Sequence, residues 1–215
     1  MILCSVKKQY GKNVALDVDR AFDEGKIYAI IGNNGSGKST LLNVLSRQIP
    51  FDGKIDCPKH VLYMPQTVYN FDFSVKTNVL LFLPKNAEEK RKTAEERMEK
   101  IGLLPLAKKN AKRLSGGEGQ KTALLRTLAQ DCSVLLLDEP TSSMDVNSTQ
   151  VAENIILDYR KKTGCTVFLV THSVAQAERL ADEILFLDAG KIVESGKDII
   201  SDPQSDALNN FLKNR

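Results

Sequence analysis

The sequence predicts an α/β fold with a mostly parallel sheet and an antiparallel β region at its N-terminus. Three observations carry that expectation. Apolar runs at 27–31, 134–137, 166–170 and 184–187 do not alternate with polar residues, as expected of strands buried on both faces. Helical patterns separate them, with an apolar face at Leu41, Leu42, Val44 and Leu45 and another pattern over 151–161; strands alternating with helices imply parallel pairing. A glycine-rich loop lies between the run at 27–31 and the helix that follows it.

The chain of 215 residues suits one domain, with room for a small subdomain. Its 42% hydrophobic and 27% charged content is that of a globular protein. Net charge is +3 with both signs interspersed, which argues against a dedicated nucleic-acid binder. Even the longest apolar runs, such as 79–83, fall far short of the roughly 20 residues that span a bilayer, and 134–137 is shorter still. No signal peptide is expected, because Lys7 and Lys8 follow a short apolar start. Cys4, Cys57, Cys132 and Cys165 are dispersed without a C-x-x-C pair, as reduced thiols would be.

The N-terminal stretch reads as strands and turns. Residues 2–6 are apolar-rich, Val14, Leu16 and Val18 alternate with polar residues, and Gly11 and Gly25 sit in turn clusters. Val61, Leu62, Tyr63 and Met64 read as a short strand closed by Pro65. From about 67 to 122 the chain becomes helix-prone, and the Glu, Lys and Arg run at 87–100 reads as a solvated helix face.

The loop Gly32, Asn33, Asn34, Gly35, Ser36, Gly37, Lys38, Ser39 fits G-x-x-x-x-G-K-[ST] at every fixed position, with Thr40 next. The glycines let the backbone present several N–H groups to one anion. The following helix adds its positive end. Lys38 is expected to reach the terminal phosphates of a nucleotide, and the Ser39 hydroxyl to ligate Mg²⁺. At the end of the run 134–137 stand Asp138 and Glu139. A buried strand would deliver Asp138 to the metal, while Glu139 would orient a water and accept its proton. The pair favours hydrolysis over phosphate transfer to a small molecule.

Leu114, Ser115, Gly116, Gly117 and Glu118, followed by Gln120, look like the ABC signature. With the phosphate loop and the Asp-Glu pair in the family's order, the chain resembles the nucleotide-binding subunits of ABC transporters over nearly its whole length. That resemblance implies a P-loop NTPase fold, with a RecA-like core at 1–66 and 123–215 and a small helical subdomain at 67–122 carrying the signature. It also implies roles. Tyr10 matches the aromatic position that stacks on adenine, Gln66 the glutamine that ligates Mg²⁺ and water, and His172 the switch histidine beside the γ-phosphate. Residues 74–79 look like the segment near the membrane partner, and 142–145 occupy the D-loop, with Asp145 at the shared site.

Ser115, Gly116, Gly117, Glu118 and Asp145 would serve the ATP of a second copy, so the resemblance implies a head-to-tail homodimer, or a pair with a paralogous subunit, holding two ATPs. Partners would be permease subunits and, indirectly, an external solute-binding protein, with the chain on the cytoplasmic face of the membrane. Lys121 stands where the family commonly has Arg, which keeps charge but loses a bidentate fork. Ser143 and Met144 replace the commoner D-loop pair. The compact size resembles bacterial importers, and the stretch after Val174 is reminiscent of tungstate-type oxyanion and polar amino-acid importers. A non-transport ABC ATPase or an exporter is the alternative.

Overall fold

The computed structural model describes residues 1–11 and 13–214. Its contacts divide the chain into two units. The first is Met1–Tyr63, Ser133–Asp138 and Gly164–Arg215, and the second is Met64–Cys132 and Glu139–Thr163. The segment 67–122 lies in the second unit with Met64, Pro65 and Gln66, residues 123–132 and residues 139–163.

The first unit holds two sheets. Strands β1 (Ile2–Tyr10), β2 (Asn13–Phe22) and β4 (Asp52–Asp56) form the three-stranded sheet in the order β2-β1-β4, with both pairings antiparallel. Strand β3 (Ile27–Ile31) is followed by helix α1 (Lys38–Leu45). It is central to a six-stranded sheet with β5 (Val61–Met64), β6 (Val134–Asp138), β7 (Thr166–Val170), β8 (Glu183–Asp188) and β9 (Lys191–Gly196). The order is β5-β6-β7-β3-β8-β9. Pairings β6–β7, β7–β3 and β3–β8 are parallel, and β8–β9 is an antiparallel hairpin.

The expected burial is met in full: every residue of β3, β6 and β7 is buried. Alternate residues of one strand enter opposite layers. Tyr28 and Ile30 join Leu136, Phe168 and Val170 in a core shared with α1 and the three-stranded sheet. Phe22 and Tyr28 meet edge-on at 5.1 Å, and Tyr28 stacks on Phe168 at 5.3 Å. Ala29 and Ile31 face the other layer, which α6 (Val174–Leu180) and α7 (Asp206–Lys213) cover with Ala177, Leu208 and Phe211. Each fully buried large aliphatic side chain contributes about 1.5–3 kcal/mol.

The second unit is helical: α2 (Val75–Leu80), α3 (Glu88–Lys100), α4 (Gly116–Leu128) and α5 (Val146–Thr163). Only Ala94 and Met98, one turn apart, are buried on α3, so the charge run is a solvated helix face. Glu88 and Glu89 in its first turn and Arg97 and Lys100 in its last complement the helix dipole. Arg97 also donates to the Leu128 carbonyl at 2.6 Å and lies over the Tyr159 ring, tying α3 to α4 and α5.

Candidate functional site

In the first unit, three parallel strands bring three candidate groups to one edge. Register pairs Ile30 with Val170 and Asp138 with Val170, so β3, β7 and β6 end together. The phosphate loop leaves β3, Thr171 and His172 leave β7, and Asp138 is the last residue of β6. Thr171 N–H donates to the Ile30 carbonyl at 3.3 Å, extending the pairing by one residue towards His172.

The loop is held by its own backbone and by the β8–β9 turn. Lys38 is buried and its Nζ donates to the Gly32 and Asn33 carbonyls at 2.9 and 2.8 Å. Gly190 N–H donates to the Ser36 carbonyl at 2.9 Å, and the Gly190 carbonyl accepts from Asp17 N–H at 2.8 Å. Gly37 is required where it stands: its φ is +105°, and a Cβ there would lie 2.6 Å from the Ala15 carbonyl oxygen. Helix α1 starts at this glycine with no side-chain cap, which leaves the helix end to an external anion. The Ser36 hydroxyl is buried in the loop with no hydrogen-bond partner among the described residues. A buried polar atom of this kind is costly unless a ligand satisfies it, so the cradle fits a phosphate.

Asp138 is 2% exposed. Tyr63, on the neighbouring strand β5, donates its hydroxyl to Asp138 Oδ2 at 3.4 Å. Burial first, then the Asp138 charge, push the Tyr63 phenol up to about 12. The oxygen donors Ser39, Asp138 and Gln66 are of the type Mg²⁺ takes. Among the described residues no three His, Cys, Asp or Glu form a metal cluster, and Mg²⁺ is ordinarily held by one or two carboxylates together with phosphate oxygens. Tyr10 ends β1 with 55% of its surface exposed and with Lys8 Nζ 4.9 Å from its ring centre.

The second unit holds Gln66, the signature, Glu139 and Asp145. Gln66 is exposed just after β5. Ser115 is the N-cap of α4 in a reciprocal capping box: Ser115 N–H donates to Glu118 Oε2 at 2.9 Å, and Glu118 N–H to Ser115 Oγ at 3.4 Å. The Ser115 N–H bond holds the Glu118 carboxyl below its ordinary range. Gly117 is packed so closely that a Cβ would lie 2.6 Å from the Ser143 carbonyl oxygen.

Glu139 has φ +50°, a left-handed conformation costing about 1–3 kcal/mol in a non-glycine residue. Gln120, 3% exposed, holds this turn. Its Nε2 donates to the Glu139 carbonyl at 2.9 Å and to Ser142 Oγ at 3.0 Å, while its Oε1 accepts from Ser143 N–H at 2.8 Å. Asp145 caps α5: its two oxygens accept from the N–H and hydroxyl of Ser148 at 2.8 and 2.6 Å. The Ser148 hydroxyl is the main reason its carboxyl titrates below the usual range, and Lys121 adds a smaller charge effect.

The segment after Gln66 is anchored by Asn78 and Arg126. Buried Asn78 donates to the carbonyls of Phe71, Phe73 and Ser74. Arg126 donates to the Tyr69 carbonyl at 2.6 Å and lies over the Phe71 ring. Tyr69, Phe73 and Phe82 are left at least half exposed.

Residues 15–142 match the family model described as ABC transporter. The match spans more than half of the chain and runs from β2 through Asp138 and Glu139. This chain belongs to the ABC transporter family. It is 38% identical to the tungstate uptake system ATP-binding protein TupC of Peptoclostridium acidaminophilum, over 89% of this chain and 95% of that protein. It is 32% identical to the glutamine transport ATP-binding protein GlnQ of Escherichia coli (strain K12), over 97% of each. Among solved structures, it is similar to a dimeric ATP-binding cassette in a post-hydrolysis state bound to ADP and Pi. That match has TM-score 0.79 and 26% identity, over 92% of this chain and 98% of the other. The ABC subunit is thus an ATP-binding, ATP-hydrolysing chain of a transporter. No helix among its described residues is long and apolar enough to cross a membrane.

Three residues that matter to these sites were given no role of their own by the sequence. Gln120 had a signal in its fixed place after the signature. Tyr63 and Gly190 had none beyond a tyrosine in a short strand and a glycine in a turn.

Proposed function

We propose that the ABC subunit energises import of an oxyanion of the tungstate type into a bacterial cell, working on the cytoplasmic face of the membrane with permease subunits and an external solute-binding protein. The observation that carries this reading is its 38% identity to a tungstate-uptake ATP-binding protein across nearly the full length of both. The permease reading is supported by Tyr69, Phe73 and Phe82, exposed aromatics on the unit that holds Gln66, since aromatic side chains are enriched at protein interfaces.

Within this reading, the loop amides from Gly32 to Thr40, Ser36 Oγ and Lys38 bind the phosphates, and Tyr10 stacks on adenine. Ser39, Asp138 and Gln66 hold Mg²⁺, which supplies charge neutralisation on the phosphates. Glu139 orients the attacking water and takes its proton, and its backbone, held by Gln120, fixes the direction of the carboxylate. His172 donates towards the terminal phosphate from the end of β7. Ser115, Gly116, Gly117, Glu118 and Asp145 serve the nucleotide of a second copy in a head-to-tail dimer. ATP would then join two subunits, and hydrolysis would release them.

The test replaces the chromosomal copy with Glu139→Gln and measures cell tungsten by mass spectrometry. Uptake should fall to the background of a deletion strain, and turnover of the purified protein by about 10²–10⁴-fold, with ATP binding retained and an ATP-bound dimer seen by light scattering. Unchanged tungsten with lost glutamine or arginine uptake would move the solute to polar amino acids. No change in either would sink the import reading.

A further inference from the structure

The family motifs give Tyr63 no role, yet its side chain reaches the carboxylate at the end of β6. Its ring packs against the core formed by β1, β2, β3 and α1, so its direction is set by packing. Its hydroxyl donates to Asp138 Oδ2 at 3.4 Å. That distance is long for an O–H···O bond, as site hydrogen bonds often are before the ligands are bound. Asp138 is almost wholly buried, and a buried carboxylate must be held by donors or a cation.

We propose that Tyr63 is the positioning residue for Asp138, its hydroxyl holding one carboxylate oxygen so that the group meets Mg²⁺ in a single orientation. The proposal rests on Asp138 being a Mg²⁺ ligand. A ligand carboxylate that rotates freely must be ordered on each binding event, whereas one held by a packed phenol is already ordered. Such outer donors are typically worth about 10–100-fold in metal affinity. Phenylalanine keeps the ring and its packing and removes only the donor.

The experiment uses the full chain with ADP and Mn²⁺ as an EPR-visible probe in place of Mg²⁺. Tyr63→Phe should bind Mn²⁺ about 10-fold more weakly, with its melting temperature and its ADP affinity in EDTA unchanged. The Mg²⁺ concentration for half-maximal ATPase should rise in parallel, and excess Mg²⁺ should restore the rate. Unchanged Mn²⁺ affinity overturns the proposal, and so does a loss of ADP affinity in EDTA that matches the loss of Mn²⁺. If the Phe variant melts early, Tyr63→His, which keeps a donor, must bind Mn²⁺ more tightly than Phe; equal affinities overturn the proposal. Asp138→Asn separates the two levels. If that variant binds Mn²⁺ normally, the metal assignment has failed; if it does not and Tyr63→Phe does, only the positioning role has failed.

Discussion

The N-termini of α1 and α4 both carry phosphate-type glycine sequences, and the chain treats them in opposite ways. Helix α1 begins at Gly37 with no side-chain cap, beside a buried lysine and a buried serine hydroxyl without a partner among the described residues. Helix α4 begins at Ser115 inside a complete capping box, with Glu118 reaching back. The first end has no side-chain cap and suits an anion. The second is already stabilised within its own unit and presents its glycines and hydroxyl from a helix that holds without ligand. The difference teaches which end binds alone. In the function proposed above, intrinsic affinity belongs to α1, and α4 adds to it only in an assembly.

Lys38→Ala is the hardest test of that division. A charge-assisted hydrogen bond is worth about 1.5–3 kcal/mol, so ATP affinity should fall about 10–100-fold by fluorescence anisotropy while the melting of the helical unit stays put. Unchanged affinity would place the binding energy elsewhere and break the comparison.

Gln120→Leu should come next. It leaves the Glu139 carbonyl and Ser143 N–H without their buried partner, at about 1–3 kcal/mol, read by urea unfolding. Hydrolysis should drop while ATP affinity holds, because the loop around Lys38 is braced by Gly190 instead. A matching drop in ATP affinity would show that the two regions are not separable.

Glu118→Gln should have the smallest effect, about 0.5 kcal/mol, because glutamine can still close the capping box and what is lost is the charge at the helix end with its exposed ion pair to Lys109. The Glu118 carboxyl titrates below its ordinary 4.5, so its charge stabilises the fold fully above about pH 4.5 and is lost as pH falls through the lowered value. The gap between wild type and variant should therefore be present at pH 7 and narrow as pH falls below about 4.5. A gap that grows in acid would reverse the sign and the argument.

Much of this was legible in the chain itself. Runs such as 27–31 and 134–137 are apolar at every position, as strands covered on both faces are. Strand β4 was not legible, because it buries only Ile55, too little to set a period. The grip of Asn78 on the chain after Gln66 could not be read either, because an asparagine in a helix looks like a surface residue until its three carbonyl partners are in place.

The sequence by itself determined the family, the nucleotide loop and the order of the core strands and their helices, because those depend on residue types at short fixed spacing. The tertiary structure decided what long-range packing alone can decide. It put Tyr63 against Asp138 across 75 residues and Gly190 under Ser36. It also gave Glu139 its left-handed turn, held by a buried glutamine from another helix. Sheet order and helix packing set these meetings, and no local pattern records which distant side chain will arrive.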